Sequence, residues 1–338
     1  MLAAIATGEG LVSARTLREL RVDPRRVARW VGRGQLVPVR WGVYTTAELW
    51  ESWDEYRDRP LARVRAVAMT LRIPYVFSHD SAALIHAMPL LQPQHSGVHV
   101  TRLHLRGSRT TSGVHHHGAR YQPDQVTEVG GLSVLDPART ATDIAREHGY
   151  TKGLVAADGA MQLGVSRAAL ASAAEAMAGW PESLVVNAVV AAADPGAESA
   201  AETLGRELLE ECGFDEVETQ FPVSVPRGVA WCDLRVGRHL VEVDGLKKIL
   251  PVADGGVTDR AAAQVLWDER RRQHEACSGG FGMSRLAWAD FFGPARDRAK
   301  KRVLAEKSVT DARFGTDLSP EQAEFAARLR GRRYRTAG

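Results

Sequence analysis

The sequence predicts a multidomain α/β chain: a small N-terminal helical module closed by a hairpin, an α+β middle domain and a C-terminal α/β/α domain. Three observations point there. At 338 residues the chain exceeds one ordinary core. Helical and strand-like periodicities replace one another along its length. The cluster Asp194-Pro195-Gly196, between two helical patterns, reads as a linker. The expected segments are residues 1–50, 51–193 and 197–292, with a basic helical tail over 293–338.

Composition narrows the class. Apolar residues make up 44% of the chain and charged residues 25%, the balance of a soluble globular protein. No stretch reaches the roughly 18 uncharged apolar residues that a spanning helix needs, so no membrane partner is expected. Met1–Val12 has no basic leader and carries Glu9 within its apolar run, which argues against a secretory signal. The thiols Cys212, Cys232 and Cys277 form neither a disulfide framework nor a zinc pattern, as suits a reducing compartment. The expected location is therefore cytoplasmic.

A net charge of +3 says little, but its distribution says more. Residues 1–40 carry eight arginines, at 15, 18, 21, 25, 26, 29, 33 and 40, against Glu9, Glu19 and Asp23. From Arg296 to the end there are twelve Lys and Arg against six Asp and Glu. Both ends suit phosphate contact.

In the first segment, Ser13 is positioned to cap a helix with Leu17 and Leu20 on its apolar side. Asp23-Pro24 then supplies a cap and a first-turn proline. The helix Pro24–Val31 sets Val27, Trp30 and Val31 on one face and leaves Arg25, Arg26 and Arg29 mostly off it. Leu36–Arg40 and Gly42–Thr45 read as two strands around Trp41-Gly42. Helix, helix and hairpin is the order of a winged helix-turn-helix. Double-stranded DNA is its expected partner, with Arg15, Arg25, Arg26, Arg29, Arg33 and Arg40 the candidate contacts.

Farther on, residues 60–92 read as helical with a strand-like break at Tyr75–Ser78. Residues 97–135 alternate and are rich in β-branched side chains, as strands are. Asp136–His148 and Lys152–Met177 return to helix. His115-His116-His117 places only His115 and His117 on a shared face, and these read as strand histidines on a polar edge. Ser78-His79-Asp80 names triad residue types, but adjacent residues do not build a triad.

After the linker the pattern is a helix over Ser199–Cys212, strands over Val217–Val225, Val229–Val236 and His239–Val243, a helix over Asp259–Glu275 and a strand over Met283–Ala287. Gly237-Arg238 fits a type II′ hairpin turn. That turn pairs Val236 with His239, Arg235 with Leu240 and Leu234 with Val241, and so sets Asp233 opposite Glu242. Opposed Cβ atoms lie about 4.5–5.5 Å apart, and Asp244 follows on the same face. Three carboxylates on one largely apolar hairpin repel one another. A divalent cation relieves that repulsion, with Asp233 and Glu242 as its expected ligands. In the preceding helix Ser199-x-x-Glu202 has capping-box spacing. Glu202 falls at the edge of an apolar arc of Ala201, Leu204, Leu208, Leu209 and Cys212.

The series Ser199, Glu202 and Arg206, then Asp233, then Glu242-Val243-Asp244-Gly245 with Lys248 beyond, resembles the actinobacterial domain related to very-short-patch-repair endonucleases. That domain belongs to the PD-(D/E)xK superfamily, whose fold is restriction-endonuclease-like. Asp268-Glu269-Arg270-Arg271-Arg272 and Arg285-Leu286-Ala287-Trp288-Ala289-Asp290 extend the resemblance to about 95 residues. It implies Mg²⁺- or Mn²⁺-dependent hydrolysis of DNA phosphodiesters in defence or repair. Glu202 would orient the site, Asp233 and Glu242 would hold metal, and Asp244 would stand nearby. The usual Glu-x-Lys reads Glu242-Val243-Asp244 here, so the positive charge falls to Lys248 or Lys247.

The N-terminal half, from Leu11-Val12-Ser13 through Gly42-Val43-Tyr44 and in Ser78-His79-Asp80-Ser81-Ala82-Ala83 with Met88-Pro89-Leu90, resembles the AbiEi-type antitoxin. That resemblance implies repression of an operon and a toxin or defence-system partner. Two functions are thus in view: an endonuclease, which as a homodimer would bring two sites to cut both strands, or an antitoxin-like repressor whose nuclease fold does not cut.

Overall fold

The computed structural model describes residues 10–91, 97–226, 228–244, 275 and 277–329. The chain is a mixed α/β protein with three sheets among the described residues, and it divides into two compact units, Met1–Ala193 and Asp194–Gly338. No helix among the described residues is long and apolar enough to cross a membrane.

The first unit opens with β1 (Val12–Ser13), α1 (Ala14–Glu19), α2 (Pro24–Gly32), β2 (Leu36–Arg40) and β3 (Val43–Thr46). The Ser13 side chain accepts the Thr16 N–H, and Asp23 accepts the Arg25 N–H ahead of Pro24, so both helices start at side-chain caps. The strands form a three-stranded sheet in the order β1-β3-β2. Gly42 makes the β2–β3 turn at φ 75°. Val12, Leu17, Val22, Val27 and Leu36 fill a small core, with Trp30, Val31 and Tyr44 against it. The boundary expected near residue 50 falls inside the next helix, α3 (Ala47–Ser52).

The same unit continues with α4 (Asp58–Thr70), β4 (Val76–Phe77), α5 (His79–Ile85), β5 (Val98–Arg102), β6 (Ser108–Thr111), β7 (Val114–Gly118), β8 (Val126–Val129) and β9 (Leu132–Leu135). These strands form a six-stranded sheet in the order β6-β7-β5-β4-β9-β8. The pairs β5–β7 and β4–β9 are parallel. The histidine strand is therefore not on a polar edge: β7 is paired on both sides, and His116 and His117 are buried. Four helices follow: α6 (Pro137–His148), α7 (Tyr150–Gln162), α8 (Arg167–Glu175) and α9 (Ser183–Ala192). The helical stretch expected over Lys152–Met177 is formed by α7 and α8. Gly164, at φ 90°, ends one, and the Ser166 hydroxyl caps the next by accepting the Ala169 N–H.

The second unit contains α10 (Ala200–Glu211), β10 (Glu218–Val225), β11 (Gly228–Val236), β12 (His239–Asp244), β13 (Gly282–Ala287), α11 (Gly293–Phe314) and α12 (Pro320–Leu329). Its sheet runs β10-β11-β12-β13, antiparallel until β13 adds in parallel to β12. The hairpin register is the one its turn predicts: Val236↔His239, Arg235↔Leu240 and Leu234↔Val241. Of the two turn residues only Gly237 has positive φ, at 60°, as a type II′ turn requires.

Helix α10 lies against one sheet face. It approaches closely because Gly205 has no side chain there: a Cβ would meet Leu234 at 2.9 Å and Val243 at 3.0 Å. On the opposite face Phe221, Cys232, Leu240 and Phe281 pack with Ala326 of α12. Helix, sheet and helix make three layers. The helix expected over Asp259–Glu275, together with Lys247 and Lys248, lies outside the described residues apart from Glu275.

Candidate functional site

Leu234 packs beneath α10, yet Cys232, two residues earlier, joins the cluster on the other face. The strict alternation of a strand is broken between them, at Asp233. The partner strand breaks at the same level. Thr219 pairs with Leu234 and Phe221 with Cys232, while Gln220 between them has a left-handed φ of 49°. A bulky non-glycine residue in that region is strained, by about 1–3 kcal/mol.

Glu202 arrives from the start of α10. Its backbone N–H donates to Ser199 Oγ at 3.2 Å, and the Ser199 hydroxyl donates back to Glu202 Oε1 at 2.9 Å. Glu202 Oε2 accepts the Glu198 N–H and the Gln220 side-chain amide, each at 2.9 Å. The capping-box role that the spacing predicts is therefore present. The same carboxylate is also bonded by Gln220 and feels the charge of Asp233. Glu202 is 5% exposed and Asp233 8%. Burial first, and then the Asp233 charge, raise the Glu202 pKa above its ordinary value, against the hydrogen bonds from Glu198, Ser199 and Gln220.

Asp233 does not sit in a direct ladder pair with Glu242, as the register extended from the turn would have it. The paired run of β11 and β12 stops at Leu234↔Val241. Asp233 Oδ2 instead accepts the Val243 N–H at 2.8 Å, so a carboxylate takes a bond that a strand carbonyl would otherwise make. Asp233 Oδ1 has no hydrogen bond among the described residues.

Glu242 and Asp244 occupy alternate positions on β12, with Arg285 of β13 beside Glu242 in the parallel ladder. Arg285 Nη1 lies 3.6 Å from Asp244 Oδ2. The structure thus brings Glu202, Asp233 and Gln220 into one group and Glu242, Asp244 and Arg285 into a neighbouring one. Among the described residues, the four acids do not place three donor atoms within 4.8 Å of one another. The donors are hard oxygens, the type that Mg²⁺ and Mn²⁺ take. Mg²⁺ commonly uses one or two carboxylates and completes its shell with water and phosphate oxygens. Asp233 and Glu242 offer donors of that type, while both oxygens of Glu202 are engaged by Glu198, Ser199 and Gln220.

Sequence reasoning did not single out Gln220 or Arg285 for these positions. Gln220 had no local signal, since nothing in Thr219-Gln220-Phe221 announces a left-handed residue inside a strand. The pairing of Arg285 beside Glu242 depends on β13 returning parallel to β12.

On the N-terminal module Arg25, Arg26, Arg29 and Arg33 are exposed, opposite the buried Val27. The Arg26 guanidinium lies 4.9 Å from the Trp30 ring centroid. Arg15 is exposed and pairs with Glu19 at 2.9 Å. Arg40 is placed differently: it donates to Thr70 Oγ1 at 3.1 Å and to the Ser112 carbonyl at 2.8 Å, tying β2 to α4 and to the β6–β7 turn.

No family model matches the chain, and comparison with curated proteins finds no match. Among solved structures, the RV2827C protein from Mycobacterium tuberculosis aligns over 60% of this chain and 78% of that one, at 15% sequence identity and a TM-score of 0.37.

Proposed function

We propose that this chain is a DNA-binding protein whose C-terminal unit is a divalent-metal-dependent endonuclease of the PD-(D/E)xK type. The N-terminal module, a winged helix in this reading, grips duplex DNA through α2. The observation that carries the proposal is the meeting of Glu202 and Asp233, from a helix start and a strand interruption, beside Glu242 on the next strand. Structural convenience does not call for two coupled carboxylates in a nearly dry position. The three-layer arrangement and the parallel fourth strand are in keeping with the α/β/α domain expected here.

In this reading Asp233 and Glu242 would hold Mg²⁺ or Mn²⁺, and the bound ion would supply Lewis-acid chemistry at the phosphate. Glu202, fixed by Ser199, Glu198 and Gln220, orients the site. Lys248, outside the described residues, or Arg285, beside Glu242 and 3.6 Å from Asp244, would supply the positive charge that Glu-x-Lys usually provides.

A second reading, an antitoxin-like repressor with an inactive nuclease fold, is favoured by one observation: Asp244 replaces that lysine and is tied to Arg285. Supercoiled plasmid incubated with Mg²⁺ or Mn²⁺, beside Asp233→Ala and Glu242→Ala, separates the two. Metal-dependent nicking lost in both variants supports the enzyme. Salt-sensitive binding without cutting of unmodified, modified or mismatched DNA supports the repressor.

A further inference from the structure

Five histidines far apart in sequence gather in the first unit. The parallel pairing of β5 with β7 sets His99 beside His115 and Thr101 beside His117. His79, at the start of α5, stacks on His117 with ring centroids 3.9 Å apart, and His115 stacks on His99 at 4.6 Å. His148, at the end of α6, approaches His99 at 6.0 Å. His79, His99 and His117 each place one donor atom within 4.8 Å of the other two, and all three are buried.

The hydrogen bonding of this group is incomplete. His99 Nδ1 and His117 Nε2 face one another at 3.0 Å. His79 Nδ1 is engaged with the Ser78 hydroxyl at 2.9 Å, and His79 Nε2 is fully buried with no partner among the described residues. Buried polar atoms are rarely left so. His79 also has a left-handed φ of 51°, so a strained backbone is held where it delivers this ring to the others. Asp80, His99 and His148 form an overlapping set on the same 4.8 Å criterion, and Asp80 Oδ1 lies 3.0 Å from His148 Nε2. Charged groups acting on the cluster include Asp80 and Glu147 against Arg146, two acids to one base.

We infer that His79, His99 and His117 form a binding site for a borderline transition-metal cation, Zn²⁺ by preference, with Asp80, paired to His148, as the carboxylate beside the His99 ring. Three convergent imidazoles select zinc-like ions over Mg²⁺. A tetrahedral zinc at its usual bond length spaces its nitrogen ligands by about 3.3 Å, so small ring rotations bring the donors into place. One cation satisfies the orphaned His79 nitrogen and the facing pair of nitrogens together. A carboxylate behind a metal-bound histidine is the usual support for such a site. This site is independent of the acidic group in the second unit, whose oxygen donors suit a different class of ion.

The test uses untagged full-length protein, stripped with chelator and titrated with Zn²⁺ against a chromophoric zinc indicator. One equivalent should bind. His99→Ala and His117→Gln should each weaken binding at least tenfold, with far-UV circular dichroism confirming that they fold. Co²⁺ added to the stripped wild type should give the visible bands of a tetrahedral site, a readout that needs no variant. Failure of the wild type to bind a stoichiometric ion, or binding unchanged in folded His99 and His117 variants, overturns the inference.

Discussion

Asp233 Oδ2 accepts the backbone N–H of Val243 at 2.8 Å, just past the last paired position of the β11–β12 hairpin. One carboxylate oxygen thus holds two strands together while the other has no protein donor among the described residues. Asp233→Asn keeps an acceptor for Val243 and removes the charge. It should fold as wild type, cut plasmid DNA on the order of a thousandfold more slowly, and bind DNA within about twofold of wild type. Cutting at the wild-type rate by Asp233→Asn would sink the assignment of this group as the metal ligand.

Gln220 joins backbone strain to a buried hydrogen bond. Its amide donates to Glu202 from a left-handed backbone. Gln220→Ala keeps the strain and deletes the donor, so a loss of about 1–2 kcal/mol is expected. Gln220→Gly deletes the same donor but relieves the backbone. Glycine should therefore be the more stable of the two, the reverse of an ordinary strand position, where it costs roughly 0.5–1 kcal/mol relative to alanine. Denaturant melts of both variants check the order.

Arg25 and Arg29 are exposed on α2. Each alanine substitution should weaken duplex binding by roughly tenfold and lower the salt dependence of log K by about one. Arg40→Ala should act differently, since Arg40 bonds to Thr70 and Ser112: stability should fall while the salt slope is kept. Fluorescence anisotropy across a salt series measures both.

His239 is a buried neutral imidazole in the second unit. Its Nδ1 meets Thr310 Oγ1 and its Nε2 meets Ser284 Oγ, each at 2.7 Å. Burial first, then Lys307, lower its pKa to about 4, against Asp311. The unfolded state binds the proton more readily between about pH 6.5 and pH 4. Its contribution to stability is thus fully present above pH 6.5 and is lost as pH falls through that window, by on the order of 3 kcal/mol. His239→Gln, which can still donate and accept, should flatten the pH dependence of the second unit's unfolding. An unchanged slope would show that other groups carry it.

Arg139, 1% exposed, bonds to the wholly buried Asp143 at 3.1 Å and to the Arg120 carbonyl at 3.0 Å. Arg139→Ala leaves a buried carboxylate with its main cation removed and should cost about 3–5 kcal/mol. Adding Asp143→Ala should recover part of that loss. Thermal melts of Arg139→Ala, Asp143→Ala and the double variant complete the cycle.

Local periodicity and punctuation by themselves determined much of the chain: the caps at Ser13, Asp23 and Ser199, the helix at Ala200–Glu211, and the hairpin whose Gly237 turn sets its register. Each depends on residues a few positions apart, and so does the capping box that holds Glu202. Only the tertiary structure decided what lies across longer separations. The break at Gln220 and Asp233 ends a ladder that the turn alone would continue, because a carboxylate competes for the Val243 N–H. Gly205 lets α10 come close enough to bring Glu202 in, and its role depends on Leu234 and Val243 being beneath it. The histidine group required β5 and β7 to pair in parallel and α5 to deliver His79 through a strained start. Spacing along the chain carries no signal of such a meeting, since its members are joined by packing and not by period.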